Sequence, residues 1–423
     1  VKTRLQPISL NAIACSFPNK PLAPVIIAIL FSRLNKSKVF ISIIYNMKKI
    51  CIFTCNRAEY YKLELLIKYF NKSNNFELYL VVCGSHLIYD FGMTVDLIKY
   101  PIYKKVNTLI YGSNNKTMAE SCALGMSKFP QLLEEINPDA VIIHGDRFDV
   151  ISVAISCSLM NICLIHIEGG ELTGTIDEHL RHAITKLSTY HFVANEDAKQ
   201  NLLQLGEIKD NVFVIGCPSY DKISNIDRKT SYLKNIGSYN FSVNKNDYII
   251  AIYHPVTTNI EKCVNDFEDY IDILIEIDKK VVFFYPNVDN GSKRLIKVIN
   301  QKKIRNNNNF VVLKSLPMDN YITLLSYSAC IVGNSSSGIR EACIFGTPSI
   351  SIGTRQNNRI RTQNTIVLDN FDKNVFKSKL NEIYGKSFPK INLYGKNNTI
   401  KLIDNIMNRI ELKYKEKNFN KLL

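Results

Sequence analysis

From Met47 onward, the chain alternates short, almost wholly apolar runs with longer stretches whose apolar residues recur every three or four positions. In the first part of this region, strands are predicted at 49–54, 76–83, 139–144, 162–167, 190–194 and 212–215, and helices at 59–70, 117–135, 149–160, 177–189 and 196–205. Continuous apolar runs are typical of strands that are buried on both faces. The pattern therefore predicts a parallel sheet covered by helices on both sides.

A second series of the same kind follows a polar interval at 224–247, which is rich in Asn, Lys and Ser and favours a linker. Here strands are predicted at 248–253, 280–285, 310–313, 329–332 and 348–352, and helices at 260–277, 290–300, 318–327 and 339–345. The predicted fold class is α/β, with two doubly wound Rossmann-like domains facing a cleft and ligands at the carboxyl ends of the strands. We assign the N-terminal domain to 47–223, the C-terminal domain to 224–396, and a closing helix and basic tail to 397–423.

The first 46 residues differ from the rest, because they carry six Lys and Arg residues and no acidic residue. Their apolar patch, 22–31, is too short to span a bilayer and is closer to the core of a signal peptide. However, Met47 leads directly into the first predicted strand, as a native start would. We therefore predict that 1–46 is a non-native or disordered extension and that the protein is cytoplasmic.

Composition narrows the possible partners. The net charge is +15, but the basic residues after position 46 are interspersed with acids and form no aromatic-studded block, so we expect neither a nucleic-acid nor a membrane partner. Eleven cysteines without a C-x-x-C pair indicate free thiols in a reducing compartment, rather than disulfides or a zinc site.

The segment Cys330–Glu341 has the form of a phosphate-binding turn between a strand and a helix. Its glycine-bounded turn, 333–338, leaves backbone N–H groups at a helix start, and Ser335 and Ser336 add hydroxyl donors. Arg340, placed in the first helical turn, would oppose the helix dipole as a cap, so we expect it to serve a ligand or a partner. Serine and glycine are also ordinary turn and cap residues, which is the alternative interpretation.

Polar residues follow most of the other predicted strands, at the edge where a cleft is expected. They are Arg57, His86, Asp146, Arg147, Glu168, Glu171, His254, Asn287 and Arg355. Glu168 ends an apolar run, so we expect a half-buried carboxylate with a raised pKa, suited to proton transfer. Two alternatives stay open: Asp146 and Arg147 as a local ion pair, and His254 as a hydrogen-bonded core histidine.

The helix after Gly174 contributes further candidates. Thr175–Glu178 has the form of a capping box, which occupies Glu178 and leaves Asp177 free to face the cleft. The apolar spacing places Arg181 and His182 on the polar face of this helix. His179 and His182 have no third well-placed ligand, so we predict no metal site.

Many of these segments resemble the hydrolysing UDP-N-acetylglucosamine 2-epimerases of sialic acid synthesis, over Met47 to about Leu412. The similarity is close to the epimerase half of the animal bifunctional epimerase/kinase. It rests on Cys55–Tyr60, Gly84–Leu87, His144–Asp149, His166–Glu171, Gly174–Glu178, Arg181–Lys186, Gly216–Asp221, His254–Thr258, Pro286–Asp289, Gly333–Ser336 and Gly353–Gln356. The resemblance implies the two-domain fold called GT-B in glycosyltransferases.

The resemblance also implies the reaction: loss of the carbon-2 proton and of UDP to give a glycal, then hydration to N-acetylmannosamine, without a cofactor or a metal. By position, the residues that match the family's proton-transfer carboxylates are Asp146, Glu168 and Asp177. Those that match its nucleotide contacts are Arg57, Arg147, His254, Asn287, Ser335, Ser336, Glu341 and Arg355, with Glu341 on the ribose hydroxyls. We also predict a catalytic role for His254, and substrate contacts for His86, Glu171, Arg181, His182 and Arg340. Family analogy suggests a homodimer or homotetramer.

The contact at position 61, the identity of the UDP sugar and the reaction class have alternatives. Tyr61 stands where the animal enzyme has a serine near the nucleotide. A different UDP sugar, such as the 2,4-diacetamido-2,4,6-trideoxyglucose of legionaminic acid synthesis, is the first alternative substrate. A GT-B glycosyltransferase is the alternative from another reaction class.

Overall fold

The computed structural model describes residues 47–420 apart from 113, 175, 238 and 419. The predicted extension 1–46, the Thr175 part of the predicted capping box and the last three tail residues lie outside the described residues. In the part that is described, no helix is both long enough and apolar enough to cross a bilayer.

The first domain contains a parallel sheet whose seven described strands have the order β3-β2-β1-β4-β5-β6-β7. These strands are β1 Lys48–Thr54, β2 Phe76–Cys83, β3 Lys104–Val106, β4 Ala140–His144, β5 Leu164–Ile167, β6 Tyr190–Val193 and β7 Val212–Val214. Its helices are α1 Arg57–Lys72, α2 Asn115–Ile136, α3 Phe148–Leu159, α4 Ile176–Leu187, α5 Glu196–Gln204 and α6 Pro218–Ser224. The sequence pattern missed β3, because this edge strand is three residues long and begins with two exposed lysines.

The second domain contains a parallel sheet of six described strands in the order β10-β9-β8-β11-β12-β13. They are β8 Tyr248–Ile252, β9 Lys280–Phe284, β10 Phe310–Leu313, β11 Cys330–Gly333, β12 Ser349–Ile352 and β13 Thr365–Leu368. The helices are α7 Ile260–Glu276, α8 Ser292–Gln301, α9 Met318–Tyr327, α10 Ala342–Phe345, α11 Lys373–Ile383 and, near the end of the chain, α12 Thr399–Met407. The predicted fold class, two Rossmann-like domains of the GT-B type, is confirmed.

Alternate residues of β1 explain why its sequence is continuously apolar. Ile50 and Ile52 pack with the residues of α1, whereas Cys51 and Phe53 pack on the opposite face with α2 and α3. All four side chains are at most 2% exposed. Since both faces of the strand are covered, no alternation of polar and apolar residues is needed.

Two segments join the domains more closely than their sequences indicate. In the polar stretch 224–247, Leu233, Ile236 and Val243 are buried in the core of the second domain. Helix α12 packs in turn against the first domain, through Ile403, Ile406 and Met407. The chain passes between the domains near Cys217 and again near Tyr394. These two passages are in contact, because the Cys217 N–H donates to the Tyr394 carbonyl at 2.7 Å.

In each sheet, the strand order reverses next to the first strand of the domain. The reversal lies between β1 and β4 in the first domain and between β8 and β11 in the second. At such a point the connections leave in opposite directions, which opens a crevice at the carboxyl ends of the strands. The cleft between the domains is therefore the place where ligand groups converge.

Candidate functional site

A cavity of about 240 Å³, lined by residues of both domains, opens between the carboxyl ends of the two sheets. Fourteen of the sixteen predicted site residues line it: Arg57, Asp146, Arg147, Glu168, Glu171, Asp177, Arg181, His254, Asn287, Ser335, Ser336, Arg340, Glu341 and Arg355. Residues that come from both halves of the chain therefore meet in one place, which is what the strand-end argument predicts.

The other two predicted residues, His86 and His182, are not among those that line this cavity. His86 is fully buried, and its ring nitrogens bond the Thr54 hydroxyl at 3.0 Å and the Thr94 hydroxyl at 2.8 Å. It thereby ties the end of β1 to the loop after β2. His182 is half-buried on α4, directly after Arg181. Because successive residues of a helix point about 100° apart, the side chain of His182 points in a different direction from that of Arg181, which lines the cavity.

The face of α4 that is buried differs from the predicted one. Arg181, Ile184 and Thr185 are its buried residues, so Arg181 does not lie on an outer polar face. Its Nη2 donates to the Asp146 carboxylate and its Nη1 donates to the Glu171 carbonyl at 2.5 Å. This pairing compensates the buried guanidinium, which is only 2% exposed.

Asp146 and Arg147, adjacent after β4, pair with different partners rather than with each other. Burial alone would raise the pKa of Asp146, but the nearby charges of Arg181 and Arg359 lower it to about 2. Arg147 Nη1 donates to Asp289 at 2.8 Å, across the cleft. Its buried Nη2 has no hydrogen-bond partner among the described residues, so one donor stays open at the cavity.

Glu168 is held by basic groups on both carboxylate oxygens. Its Oε2 accepts from Lys62 Nζ at 2.8 Å and from His144 Nε2 at 3.0 Å, and its Oε1 accepts from Arg340 Nη2 at 2.7 Å. Burial would raise the pKa of this carboxyl, but the charges of Arg340 and Lys62 outweigh it and hold the pKa well below the usual range. The predicted raised pKa of Glu168 is therefore wrong, because the sequence does not show these cations.

Among the three predicted catalytic carboxylates, Asp177 is the one whose surroundings raise the pKa. The causes are desolvation in the cleft, which is the larger, and the neighbouring negative charge of Asp146. The nearest cation, Arg355, is 3.8 Å from Asp177 Oδ2 and opposes the shift only in part. Of these two carboxylates, Asp177 is therefore the better suited to take up and release a proton.

Arg340 lies before α10 and not in the first turn of a helix, since this helix starts only at Ala342. Its guanidinium reaches across the cleft to two carboxylates of the first domain, Glu168 and Glu171. Arg359, also of the second domain, donates to the other oxygen of Glu171 at 2.5 Å. Sequence reasoning missed Arg359 and Lys62, because neither directly follows a strand or belongs to a distinctive motif.

The turn that is predicted to bind phosphate is formed, but the helix that follows it, α10, is only four residues long. Ser336–Gly338 forms one 3₁₀ turn after β11, and Ser335 Oγ accepts from the Ser337 N–H at 3.3 Å. Gly333 has φ of +128°, and a Cβ there would come within 1.9 Å of the Ile252 carbonyl oxygen. Only glycine therefore lets the chain turn toward the cleft at this point.

His254 is fixed beside this turn. Its backbone N–H and carbonyl bond the side chain of buried Asn334 at 2.6 and 2.8 Å. The Nδ1 atom of its ring accepts from the Asn287 N–H at 3.1 Å, which leaves the proton of the neutral ring on Nε2. Burial and the nearby Arg355 lower the pKa of His254 to about 3, so the ring is neutral at physiological pH.

A cluster of potential metal ligands, Cys55, Glu59 and Asp149, also occurs among the described residues. However, both Glu59 oxygens already accept hydrogen bonds, from the Cys55 N–H at 2.7 Å and from Asn56 Nδ2 at 2.5 Å. The cluster therefore acts as a structural contact at the start of α1.

The fold and the cleft define a GT-B-type α/β protein whose cavity is lined by acidic groups and by the Ser335–Ser336 turn. A family sequence model described as UDP-N-acetylglucosamine 2-epimerase matches residues 68–408, most of the chain. The chain belongs to this family, as its motifs predict.

Curated relatives agree with the hydrolysing branch. The chain is 33% identical, over 78% of its length and 86% of the relative, to a UDP-N-acetylglucosamine 2-epimerase of Neisseria meningitidis. It is 35% identical to a GDP/UDP-N,N′-diacetylbacillosamine 2-epimerase (hydrolyzing) of Campylobacter jejuni, over 75% of the chain and 84% of the relative. A UDP-N,N′-diacetylbacillosamine 2-epimerase (hydrolyzing) of Legionella pneumophila is 32% identical, over 86% and 99%.

Solved structures of the family share the fold. The N. meningitidis UDP-GlcNAc 2-epimerase bound to UDP-GlcNAc superposes with a TM-score of 0.68 at 20% identity, covering 86% of this chain and 100% of that one. The Methanocaldococcus jannaschii enzyme in complex with UDP-GlcNAc and UDP gives 0.70 at 22% identity, covering 85% and 99%. At these identities the similarity establishes the architecture alone.

Proposed function

We propose that this protein hydrolyses UDP-N-acetylglucosamine with inversion at sugar carbon 2, giving N-acetylmannosamine and UDP, the first step of sialic acid synthesis. The observation that carries the proposal is the convergence of Asp146, Glu168 and Asp177 in one cavity with the Ser335–Ser336 turn. Carboxylates serve the proton transfers, and the turn with its neighbouring cations serves the departing diphosphate.

The reaction divides into two steps. In the first, carbon 2 loses its proton and the bond from carbon 1 to the phosphate oxygen breaks, leaving a glycal and UDP. In the second, water adds across the double bond, with hydroxyl at carbon 1 and a proton delivered to the opposite face of carbon 2. Because the proton leaves one face of carbon 2 and the new proton arrives at the other, two different groups exchange it. The raised pKa of Asp177 suits it to one of these two transfers.

Asp146 and Glu168 have a different role in this proposal, because their lowered pKa values keep them ionised. As fixed negative charges they stabilise the positive charge that develops on the sugar ring as UDP departs. The open Nη2 donor of Arg147, with Arg57 and Arg355, is available to the diphosphate. Glu341, which lines the same cavity, is the proposed acceptor for the ribose hydroxyls.

A second candidate substrate is UDP-N,N′-diacetylbacillosamine. Two of the curated relatives, from C. jejuni and L. pneumophila, carry names that specify this sugar, at 35% and 32% identity. The two substrates differ at carbons 4 and 6 and share the reacting atoms, so the same carboxylates serve both.

One experiment tests the reaction and the substrate together. The full chain is incubated with each UDP sugar in deuterated water, and the products are followed by NMR. We expect free N-acetylmannosamine with deuterium at carbon 2, together with UDP, and a higher kcat/KM for UDP-N-acetylglucosamine. A product still linked to UDP contradicts hydrolysis, and a higher kcat/KM for the diacetamido sugar favours the second candidate.

A further inference from the structure

Four residues form an ion-pair cluster between the domains, which we call the interdomain clasp: Glu168, Glu171, Arg340 and Arg359. Arg340 is 1% exposed and Glu168 is 3% exposed, and they pair at 2.7 Å. Arg340 also pairs with Glu171, and Arg359 holds the second oxygen of Glu171. The acids belong to the first domain and the arginines to the second, so the clasp exists only while the domains are closed on each other.

The contacts of Arg340 leave it unsuited to bind a diphosphate. Its two terminal nitrogens both donate to carboxylates, and its guanidinium lies over the Tyr394 ring, 4.6 Å from the ring centre. To turn toward a phosphate, the arginine would have to give up its ion pairs with both Glu168 and Glu171 in a buried site, which is unfavourable. Arg355 differs, because the carboxylate oxygen that pairs with it, Asp177 Oδ2, is 3.8 Å away.

Among the described groups that face Glu168, Arg340 is the one that belongs to the second domain. The others are Lys62 on α1, His144 at the end of β4, Glu171, and the Cys217 thiol. Closure of the domains therefore changes one contact of this carboxylate: the bond from Arg340 to Oε1. Lys62 and His144 hold the other oxygen in either state.

We propose that Arg340 is a positioning residue that fixes the Glu168 carboxylate only when the domains are closed. The clasp thereby couples closure over the substrate to assembly of the reactive site. This inference rests on the proposed function for the role of Glu168 toward the sugar. It assigns Arg340 to the catalytic carboxylates rather than to the nucleotide.

The first test separates positioning from ligand binding. In Arg340→Gln we expect kcat to fall about 100-fold, as for a displaced catalytic group, while KM and the Kd for UDP measured by calorimetry stay within about threefold. The matched control is Arg355→Gln, for which we expect the Kd for UDP to rise about tenfold. If Arg340→Gln weakens UDP binding as much as the control does, Arg340 is a nucleotide contact and the proposal is wrong.

A second comparison asks whether Arg340 acts through Glu168. In a Glu168→Gln background, the Arg340→Gln change is expected to alter kcat by less than about threefold, because the group that it positions is already lost. Full additivity of the two losses would contradict the proposal. Since Arg340→Gln leaves buried charge unpaired, Arg340→Lys serves as a milder variant that reaches one carboxylate and restores part of kcat.

A third measurement does not depend on turnover. Small-angle scattering is expected to give a larger radius of gyration for ligand-free Arg340→Gln/Arg359→Gln than for the wild type, and UDP is expected to reduce the difference. Equal radii without ligand would overturn the clasp. If the wild type binds UDP but converts no UDP sugar, the proposed function fails, while this measurement still decides the clasp.

Discussion

Glu168 and Asp177 lie in the same cleft, yet their surroundings shift the two pKa values in opposite directions. Around Glu168 the neighbours are mainly cationic, from Lys62 and Arg340, and the pKa is lowered. Around Asp177 the acids Asp146 and Asp289 offset Arg355, and the pKa is raised. Desolvation raises both values, so the sign is decided by the charges that the fold brings close.

Because their pKa values shift in opposite directions, Glu168 and Asp177 are suited to different roles. A carboxylate that is held by cations stays charged and fixed, as an electrostatic contact must, whereas one with a raised pKa can hold and release a proton. The comparison between the Glu168 region and the Asp177 region is open to direct tests.

The largest effect is expected for Glu168→Gln. The neutral side chain removes the charge that compensates Lys62 and one of the two carboxylates that compensate Arg340, which should lower the free energy of unfolding by about 3–5 kcal/mol and kcat by about 10³-fold or more. Urea unfolding and steady-state kinetics measure the two changes. Unchanged stability would mean that the cations do not depend on this carboxylate.

Asp177→Asn is expected to lower the activity strongly and to change the stability little. Losing a proton-exchanging group should reduce kcat by about 100-fold, at the low end of general acid–base effects. The free energy of unfolding should change by less than about 1 kcal/mol, because desolvation and the neighbouring Asp146 disfavour the negative charge that the amide removes. A loss of stability as large as that of Glu168→Gln would remove the distinction between the regions.

The two variants should also respond to pH with opposite signs. Glu168 contributes stability above its unfolded pKa of about 4.3, and this contribution is lost as pH falls through its lowered folded pKa. Asp177, whose folded pKa is raised, favours folding most below about pH 3.9, and this contribution is lost as pH rises through its folded pKa. Relative to the wild type, Glu168→Gln should therefore be weakest near pH 7, and Asp177→Asn should gain stability between pH 3 and pH 7. Thermal unfolding across that range measures both differences.

The smallest effect concerns His254. Because its pKa is lowered to about 3, the ring does not titrate near neutrality, and His254→Gln should leave the shape of the kcat/KM profile unchanged between about pH 5 and 8. An inflection in the wild type that disappears in the variant would show that His254 gains a proton in this range.

The sequence predicts the architecture well because buried parallel strands leave a local signal. Sequence-based prediction fails where the pKa of a group depends on a partner that is distant in the chain. Glu168 and Arg340, for example, are 172 residues apart. No local pattern indicates that pairing, so the expected pKa shift of Glu168 has the wrong sign. Similarly, His86 follows a strand like the true lining residues, but the Thr54 and Thr94 hydroxyls occupy its ring nitrogens inside the core.

The two passages of the chain between the domains lie side by side. At Gly216, where φ is +81°, a Cβ would come within 2.7 Å of the Lys396 backbone nitrogen, and the neighbouring peptides are hydrogen-bonded. Because the two connections are adjacent and hydrogen-bonded, we expect them to restrain sliding between the domains and to favour rotation about the line that they define. A side chain added at Gly216 would push the two connections apart and is expected to change the angle between the domains.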